Sequence, residues 1–221
     1  MVGEEPPTHN IAEPRAIDFL ARAVSPAVRR VDAARAELLR QWSACPRPAG
    51  GHQGVRLGYH SRLLPSPTAE AWVQVDLGRP AAIDAIALVP TQVDTGSFSA
   101  KGFGFPVRFR VDASDRADFE SYQTVADETA RDFPNPGSYP VLFPAGGRHA
   151  RFVRVTSTRH WPREEAWIFA LGEIMVLQGA RNIAAGRPVS AANATISYPA
   201  WTPENLVDGQ TILGPPVTSE P

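Results

Sequence analysis

Alternation of apolar and polar residues recurs through the middle of the chain, and this period of two is the feature that most restricts its fold. In "PVRFRVDAS" the apolar positions Val107, Phe109, Val111 and Ala113 alternate with Arg108, Arg110 and Asp112. "WVQVDLG", starting at Trp72, repeats the alternation, and "IDAIALVP" is almost continuously apolar, as expected for a strand covered on both faces. Turn signals rather than helical patterns separate these runs, which favours an antiparallel sandwich over an α/β fold.

Composition supports the same fold class. The 22 prolines and 17 glycines among 221 residues favour many turns and few long helices. A hydrophobic fraction of 43% with 20% charged residues is ordinary for a folded globular protein. The sequence therefore predicts a mostly β protein, an antiparallel β-sandwich with an N-terminal helical segment.

The first 54 residues differ from the rest in their pattern of apolar and polar residues. Residues 1–13 are polar and proline-bearing, which predicts a flexible N-terminus, and residues 14–54 form a predicted helical segment and linker. One face of that segment is apolar, through Val28, Val31, Leu38, Leu39 and Trp42. Such a face is expected either to dock another domain or subunit or to pack as a lid on its own domain.

Charge and cysteine content exclude several classes of function. The net charge of −1 provides no strong field for nucleic acid, so a nucleic-acid partner is not expected. Cys45 is the only cysteine, which excludes an intrachain disulfide and a cysteine-based zinc site. No run approaches the roughly 20 apolar residues of a membrane span, and the acidic start "MVGEEPP" does not fit a signal peptide.

Catalytic motifs are missing from the sequence. It contains no GxSxG, GxxxxGK[ST], HExxH or GxGxxG pattern, and "GFGFP" at 102–106 lacks the spacing and the helix of a dinucleotide-binding loop. The five histidines show no close metal-ligand spacing. The sequence therefore predicts no catalytic site.

Four segments in order carry a family resemblance: "WVQVDLGRPAAIDAIALVP", "FPVRFRVDASDRADF", "ARFVRVTST" and "FALGEIMVL". They resemble the discoidin family, also called the coagulation factor type C or galactose-binding-like domain, over roughly Leu57 to Gly179. The resemblance implies a jelly-roll sandwich at 55–179 that binds rather than catalyses. Within it we expect Trp72, Asp76 and Asp84 to have structural roles, the two acids as anchors of turns or backbone amides.

The C-terminal stretch "RNIAAGRPVSAANATISYPAWTPENLVDGQ" resembles the opening segment of the same family, although it follows the main domain. Residues 180–221 therefore either start a truncated or degenerate second repeat, the alternative that the sequence favours, or fold back to complete the first sandwich. Many members hold a structural calcium ion near the Val-Asp-Gly loop. Only Asp208 matches that pattern here, so no cofactor is predicted.

Two long segments between strong strands are the predicted binding loops. The first, Thr91–Phe105, carries Asp94, Lys101 and Phe103, and the second, Ser157–Trp167, carries Arg159, His160, Trp161 and Glu164. Sugar recognition needs an aromatic ring against the apolar face of the pyranose and directed hydrogen bonds to its hydroxyls. Trp161 is the predicted stacking residue, with Arg159 and His160 as its hydrogen-bonding partners.

The favoured function is a carbohydrate-binding module, because the family resemblance extends to such modules of bacterial polysaccharide-degrading enzymes. It implies a glycan or polysaccharide partner, adjacent domains of a larger bacterial protein that acts on polysaccharides or lies at the cell surface, and an extracytoplasmic location. The alternative is a structural or protein-interaction module that docks neighbouring domains of a multidomain enzyme. Phe103 beside Lys101 is also a faint match to the phospholipid-binding relatives.

Overall fold

The computed structural model describes residues 57–94, 99–194 and 200–210, and the regular secondary structure of this part of the chain is antiparallel β-strand apart from one short 3₁₀ helix. The strands are β1 (Tyr59–His60), β2 (Trp72–Val89), β3 (Gln92–Asp94), β4 (Ser99–Lys101), β5 (Arg108–Ser114), β6 (Gln123–Glu128), β7 (Val141–Arg159), β8 (Trp161–Arg163), β9 (Ala166–Ile168), β10 (Ala170–Leu171), β11 (Glu173–Gln178), β12 (Arg181–Asn182) and β13 (Val189–Ala191). A short 3₁₀ helix covers Pro203–Leu206. The mostly β fold class is confirmed, whereas the predicted flexible N-terminus and helical segment lie outside the described residues.

Two long strands connect the layers of the sandwich. Strands β2 and β7 pair along most of their length, with register shifts between Asp76 and Ala81 and between Ile83 and Ala85. Before the first shift β2 also pairs with β13, and after the second it pairs with β11. On β7, only the second half of the strand pairs with β5. The strands thus form one layer in the order β13-β2-β7-β5-β6 and another in the order β12-β11-β2-β7.

The predicted apolar faces form the core. Val73 and Val75 of β2 are completely buried, as are Phe109 and Val111 of β5. Phe109 is the centre of an aromatic group, since its ring lies 5.2–5.9 Å from the rings of Phe105, Phe133 and Phe143. Burying one such side chain stabilises the fold by about 1.5–3 kcal/mol, which explains why the alternation in "PVRFRVDAS" determines the orientation of β5.

The outer face of β5 differs from the sequence expectation. Asp112 alternates as a solvent-facing residue but is buried, with Oδ2 accepting a hydrogen bond from Arg110 Nε at 2.7 Å and Oδ1 accepting one from Thr124 Oγ1 at 2.9 Å. Side chains cover this face of the sheet: the Arg154 guanidinium lies 4.0 Å from the Phe119 ring and 4.5 Å from the Trp72 ring. Trp72 is half-buried on this face and packs against Arg154, as a residue with a structural role would.

The two acidic anchors also have the predicted roles. Asp76 Oδ1 accepts the backbone N–H of Gly78 at 2.8 Å, and Asp84 Oδ2 accepts that of Gly179 at 2.6 Å. Asp76 additionally forms a two-bond ion pair with Arg151 at 2.8 and 2.9 Å. Those contacts tie the turns to the sheet.

The segment after Gly179 pairs with this same sandwich. Strand β12 pairs with β11, and β13 pairs with β2. Further along, Trp201 forms a parallel bridge with Gly58, and Leu206 is completely buried in the common core. Of the two alternatives for residues 180–221, this pairing favours the one in which the segment completes the first domain.

Candidate functional site

The two predicted loops each contain a β-hairpin. In the first, β3 pairs with β4 so that Gln92 lies opposite Lys101, and a turn through Gly102 and Gly104 leads to Phe105. A side chain at Gly104 would not fit, because a Cβ atom there would lie 2.6 Å from the Cβ of Ala170. In the second, β8 pairs with β9 across a turn at Glu164. Both segments are therefore held by backbone pairing.

One side-chain group joins both hairpins to the two ends of the described chain. The His60 ring lies 5.2 Å from the Trp201 ring and 5.8 Å from the Phe103 ring, and the last two rings are 6.3 Å apart. The Arg163 guanidinium lies over Phe103, 5.5 Å from the ring centroid. We call His60, Phe103, Arg163 and Trp201 the aromatic–arginine cluster.

The hydrogen bonds of His60 define its protonation state. Arg163 Nη1 donates to His60 Nε2 at 3.2 Å, so Nε2 is an acceptor and the proton of the neutral ring is on Nδ1, which donates to the Ser61 carbonyl. Burial lowers the pKa of His60, the hydrogen bond to the Ser61 carbonyl opposes that shift, and the positive charge of Arg163 adds to it. A neutral His60 therefore orients the Arg163 guanidinium.

Exposure divides the cluster into a support and an accessible part. Phe103 and His60 are only 6% and 8% exposed. Arg163 is exposed, and Trp201 is half-buried. A ligand would therefore meet the guanidinium and the indole, while the other two rings hold them in position.

His160 is not available to a ligand, contrary to its predicted role. It is 1% exposed, Nδ1 is 2.7 Å from Ser157 Oγ, and Nε2 is 2.7 Å from the Ala69 carbonyl oxygen. Burial lowers its pKa, against the opposing hydrogen bond to Ala69. With both ring nitrogens engaged, His160 fixes the end of β7 to the segment before β2.

The other predicted residues of the second loop lie on the surface. Arg159 is exposed and shares Asp132 with Arg108, at distances of 3.1 and 2.6 Å. Glu164 is exposed at the hairpin turn, with a positive φ of 53°. Trp161 is half-buried and lies two residues before Arg163 on β8, so both side chains project from the same face of the hairpin. Trp161 therefore stays a candidate for ligand contact.

Among the predicted residues of the first loop, only Phe103 is part of the cluster. Lys101 is exposed at the end of β4, and its carbonyl oxygen accepts a hydrogen bond from Asn135 Nδ2 at 3.1 Å. Asp94 ends β3, where it pairs with Ser99. Phe103 is packed among other rings and is a support rather than a free stacking surface.

Sequence reasoning did not select three members of the cluster. His60 lies in "GYHSR" of the first strand, Trp201 lies in the stretch assigned to a second repeat, and Arg163 lies in the second predicted loop. The sequence offered only their residue types, a histidine, a tryptophan and an arginine, as an indication of a binding role. Their proximity depends on long-range pairing such as the bridge between Gly58 and Trp201.

A buried carboxylate lies next to the Val-Asp-Gly loop. Glu173 is completely buried, Oε1 accepts the Gly209 N–H at 3.1 Å, and Oε2 has no hydrogen-bond partner. Burial raises the pKa of Glu173 to about 9, Asp208 adds to that rise, and the Gly209 N–H opposes it. The unpartnered oxygen fits the structural calcium ion that the family resemblance implies, with Glu173 and Asp208 as the carboxylates that would hold it. No group of three His, Cys, Asp or Glu side chains suited to a metal occurs among the described residues.

The strand order and the core define the described part of the chain as an antiparallel jelly-roll β-sandwich, and the aromatic–arginine cluster is its candidate site. Comparison of the sequence with family models and with curated proteins finds no match. In the residues that the structure covers, no helix has the length and apolar character needed to span a bilayer.

Comparison with solved structures finds similar chains. A fragment of a candidate chitobiase from Bacteroides thetaiotaomicron is 18% identical with a TM-score of 0.38, and the match covers 51% of this chain and 62% of that one, which is less than two thirds of its length. The module CBM32-3 from a family 31 glycoside hydrolase of Clostridium perfringens is 16% identical with a TM-score of 0.38, covering 52% of this chain and 70% of that one. The lectin domain of lectinolysin, in complex with Lewis B antigen, is 18% identical with a TM-score of 0.37, covering 60% and 88%.

Proposed function

We propose that the chain is a non-catalytic carbohydrate-binding module and that the aromatic–arginine cluster is its binding site. The observation that carries the proposal is the arrangement of an accessible indole, Trp201, beside a guanidinium that a histidine holds in place. An indole face covers the apolar C–H patch of a pyranose, and the guanidinium N–H groups donate to its hydroxyls.

Preorganisation supports this function. Arg163 donates to His60 and lies over Phe103, so binding does not have to order a free arginine side chain. Immobilising a long side chain at an interface costs about 0.5–1.5 kcal/mol, which this site does not have to supply on binding. The resemblance of the strand motifs to discoidin domains points to the same class of function.

The proposal extends to the setting of the domain. We place the domain at residues 55–210, with the segment after Gly179 as part of the sandwich, and we propose that it is an extracytoplasmic accessory part of a larger bacterial protein that acts on polysaccharides or lies at the cell surface. The apolar residues on which the protein-interaction alternative depends, such as Leu38 and Trp42, lie outside the described residues. That alternative would show itself as self-association or domain capture without any response to sugars.

The test is titration of the full chain with a panel of neutral and acidic oligosaccharides, followed by tryptophan fluorescence and isothermal calorimetry. We expect Trp201→Ala to weaken binding at least about tenfold. The matched control is Tyr122→Ala, which removes an exposed ring that stacks on Arg110 at 4.6 Å in another part of the sheet. Arg163→Lys keeps the charge but loses the planar fork, and we expect it to weaken binding as well. The proposal fails if the unaltered chain binds no oligosaccharide, or if Trp201→Ala and Arg163→Lys both bind as it does.

A further inference from the structure

Two cations near the cluster, Lys101 and Arg163, differ from the arginines that are paired with acids elsewhere on the sandwich. Arg151 pairs with Asp76 at 2.8 Å, and Arg116 pairs with Asp118 at 2.5 Å. Within residues 57–94, 99–194 and 200–210, no salt bridge involves either Lys101 or Arg163. Five described arginines, Arg108, Arg110, Arg116, Arg151 and Arg159, have an acidic partner, whereas these two cations at the candidate site have none within the described residues.

Both cations adjoin Phe103, one through a ring contact and the other along the chain. Arg163 stacks on the Phe103 ring, and Lys101 precedes Phe103 by two residues, a distance along the backbone of at most about 7 Å. Asn135 holds the turn between Lys101 and Phe103. Its amide donates a hydrogen bond to the Lys101 carbonyl, and it lies so close to Gly102 that a side chain there would collide with it. The ammonium is therefore attached to a rigid backbone next to the cluster.

The surroundings of Lys101 extend the site beyond a single sugar. Lys101 lies opposite Gln92 in the hairpin, and Ser138 Oγ is 3.4 Å from Gln92 Oε1. The next residue, Tyr139, is 55% exposed. This strip provides a second ring, a hydroxyl, an amide and an ammonium for a neighbouring residue of a glycan chain.

We propose that the glycan is acidic, with a carboxylate or sulfate group bound between Arg163 and Lys101 and the adjoining sugar on the strip that contains Tyr139. The inference rests on the proposed carbohydrate-binding function and specifies its ligand class. A guanidinium and an ammonium that form no salt bridge with the carboxylates of the described residues favour an anion over a neutral hydroxyl. The nearest acids along the chain, Glu164 and Glu165, lie at the hairpin turn, and neither pairs with Arg163.

The experiment compares matched ligands by calorimetry. One arm uses an oligogalacturonate and its carboxyl-reduced neutral form, and the other uses a sulfated galactan oligosaccharide and its desulfated form, which distinguishes carboxylate from sulfate as the source of the charge. We expect the acidic member of at least one pair to bind about tenfold or more tightly, with an advantage that decreases as salt is added.

Variants assign the preference to the two cations. Lys101→Gln should reduce the ratio of acidic to neutral affinity about threefold to tenfold, whereas Arg79→Gln, which removes an exposed arginine charge from the bulge of β2, should leave that ratio unchanged. Equal affinity for the neutral and acidic members of both pairs overturns the inference but leaves carbohydrate binding intact. The absence of binding to all four ligands overturns both, and an unchanged ratio in Lys101→Gln removes Lys101 from the anion site.

Discussion

Replacing the buried Glu173 by glutamine should change how stability depends on pH. Its pKa rises from 4.5 in the unfolded chain to about 9 in the fold, chiefly because burial disfavours the carboxylate. Between those two values the folded state keeps a proton that the unfolded state has released. The free energy of unfolding therefore falls as the pH rises through this window, and it is highest below the unfolded pKa.

The size of the effect follows from the pKa difference. Each pH unit between about 4.5 and about 9 removes roughly 1.4 kcal/mol of stability, and for a domain of this size each kcal/mol corresponds to about 2–4 °C in Tm. Wild type should therefore lose roughly 3–6 °C per pH unit relative to Glu173→Gln, which keeps the shape and has no proton to release. Other groups that titrate in the same range, such as His60 and His160, contribute equally to both proteins and cancel in the difference.

Thermal melts followed by circular dichroism, with EDTA present, measure that difference from about pH 5 to about pH 8. Melting temperatures of the two proteins that run parallel across this range would falsify the assignment of a buried, protonated Glu173. Repeating the melts with millimolar CaCl2 tests the fit of the unpartnered oxygen to a cation. If Glu173 and Asp208 hold calcium, the ion should raise the Tm of wild type at pH 8 more than that of Glu173→Gln.

Two further predictions follow from the structure. Burial lowers the pKa of His60 below its usual value, so sugar affinity should be constant near neutral pH and fall in acid, where the protonated ring can no longer accept a hydrogen bond from Arg163. The variant His60→Gln should bind with little pH dependence. Identical pH profiles of affinity for the two proteins in calorimetry would contradict this prediction. Leu206→Ala should destabilise the sandwich by about 2–5 kcal/mol, because Leu206 is completely buried in the common core; a Tm equal to that of wild type would mean that the C-terminal segment is not part of the domain.

Period-two alternation predicted the strands well because burial alone decides which face of a sheet is inward. Val73, Val75, Phe109 and Val111 are buried as the pattern indicates. It could not show that "WVQVDLG" and "IDAIALVP" form one strand, since the continuity of β2 across Gly78 depends on pairing with β7. Asp112 was assigned to solvent for a related reason: the pattern does not reveal the side chains that cover an outer face.

The candidate site was harder to predict because its members are distant in sequence. Residue chemistry pointed to both hairpins as candidate binding segments, and in the structure Arg163 of one lies over the Phe103 ring of the other. His160 has the right chemistry for a ligand contact, but its two ring nitrogens are used by Ser157 and Ala69, which only the fold reveals.

Closure of the fold and assembly of the site depend on the same stretch of chain. The bridge between Gly58 and Trp201 brings the indole next to His60, and the buried Leu206 a few residues later anchors that stretch in the core. Removing the chain from Ala200 onward would therefore take away both core packing and the accessible ring of the cluster. Leu206→Ala separates the two consequences, because it weakens the anchor while leaving Trp201 in place. If the stretch is held mainly by that anchor, sugar affinity should decrease together with stability. If the backbone pairing of Gly58 with Trp201 is sufficient, binding well below the reduced Tm should match that of wild type.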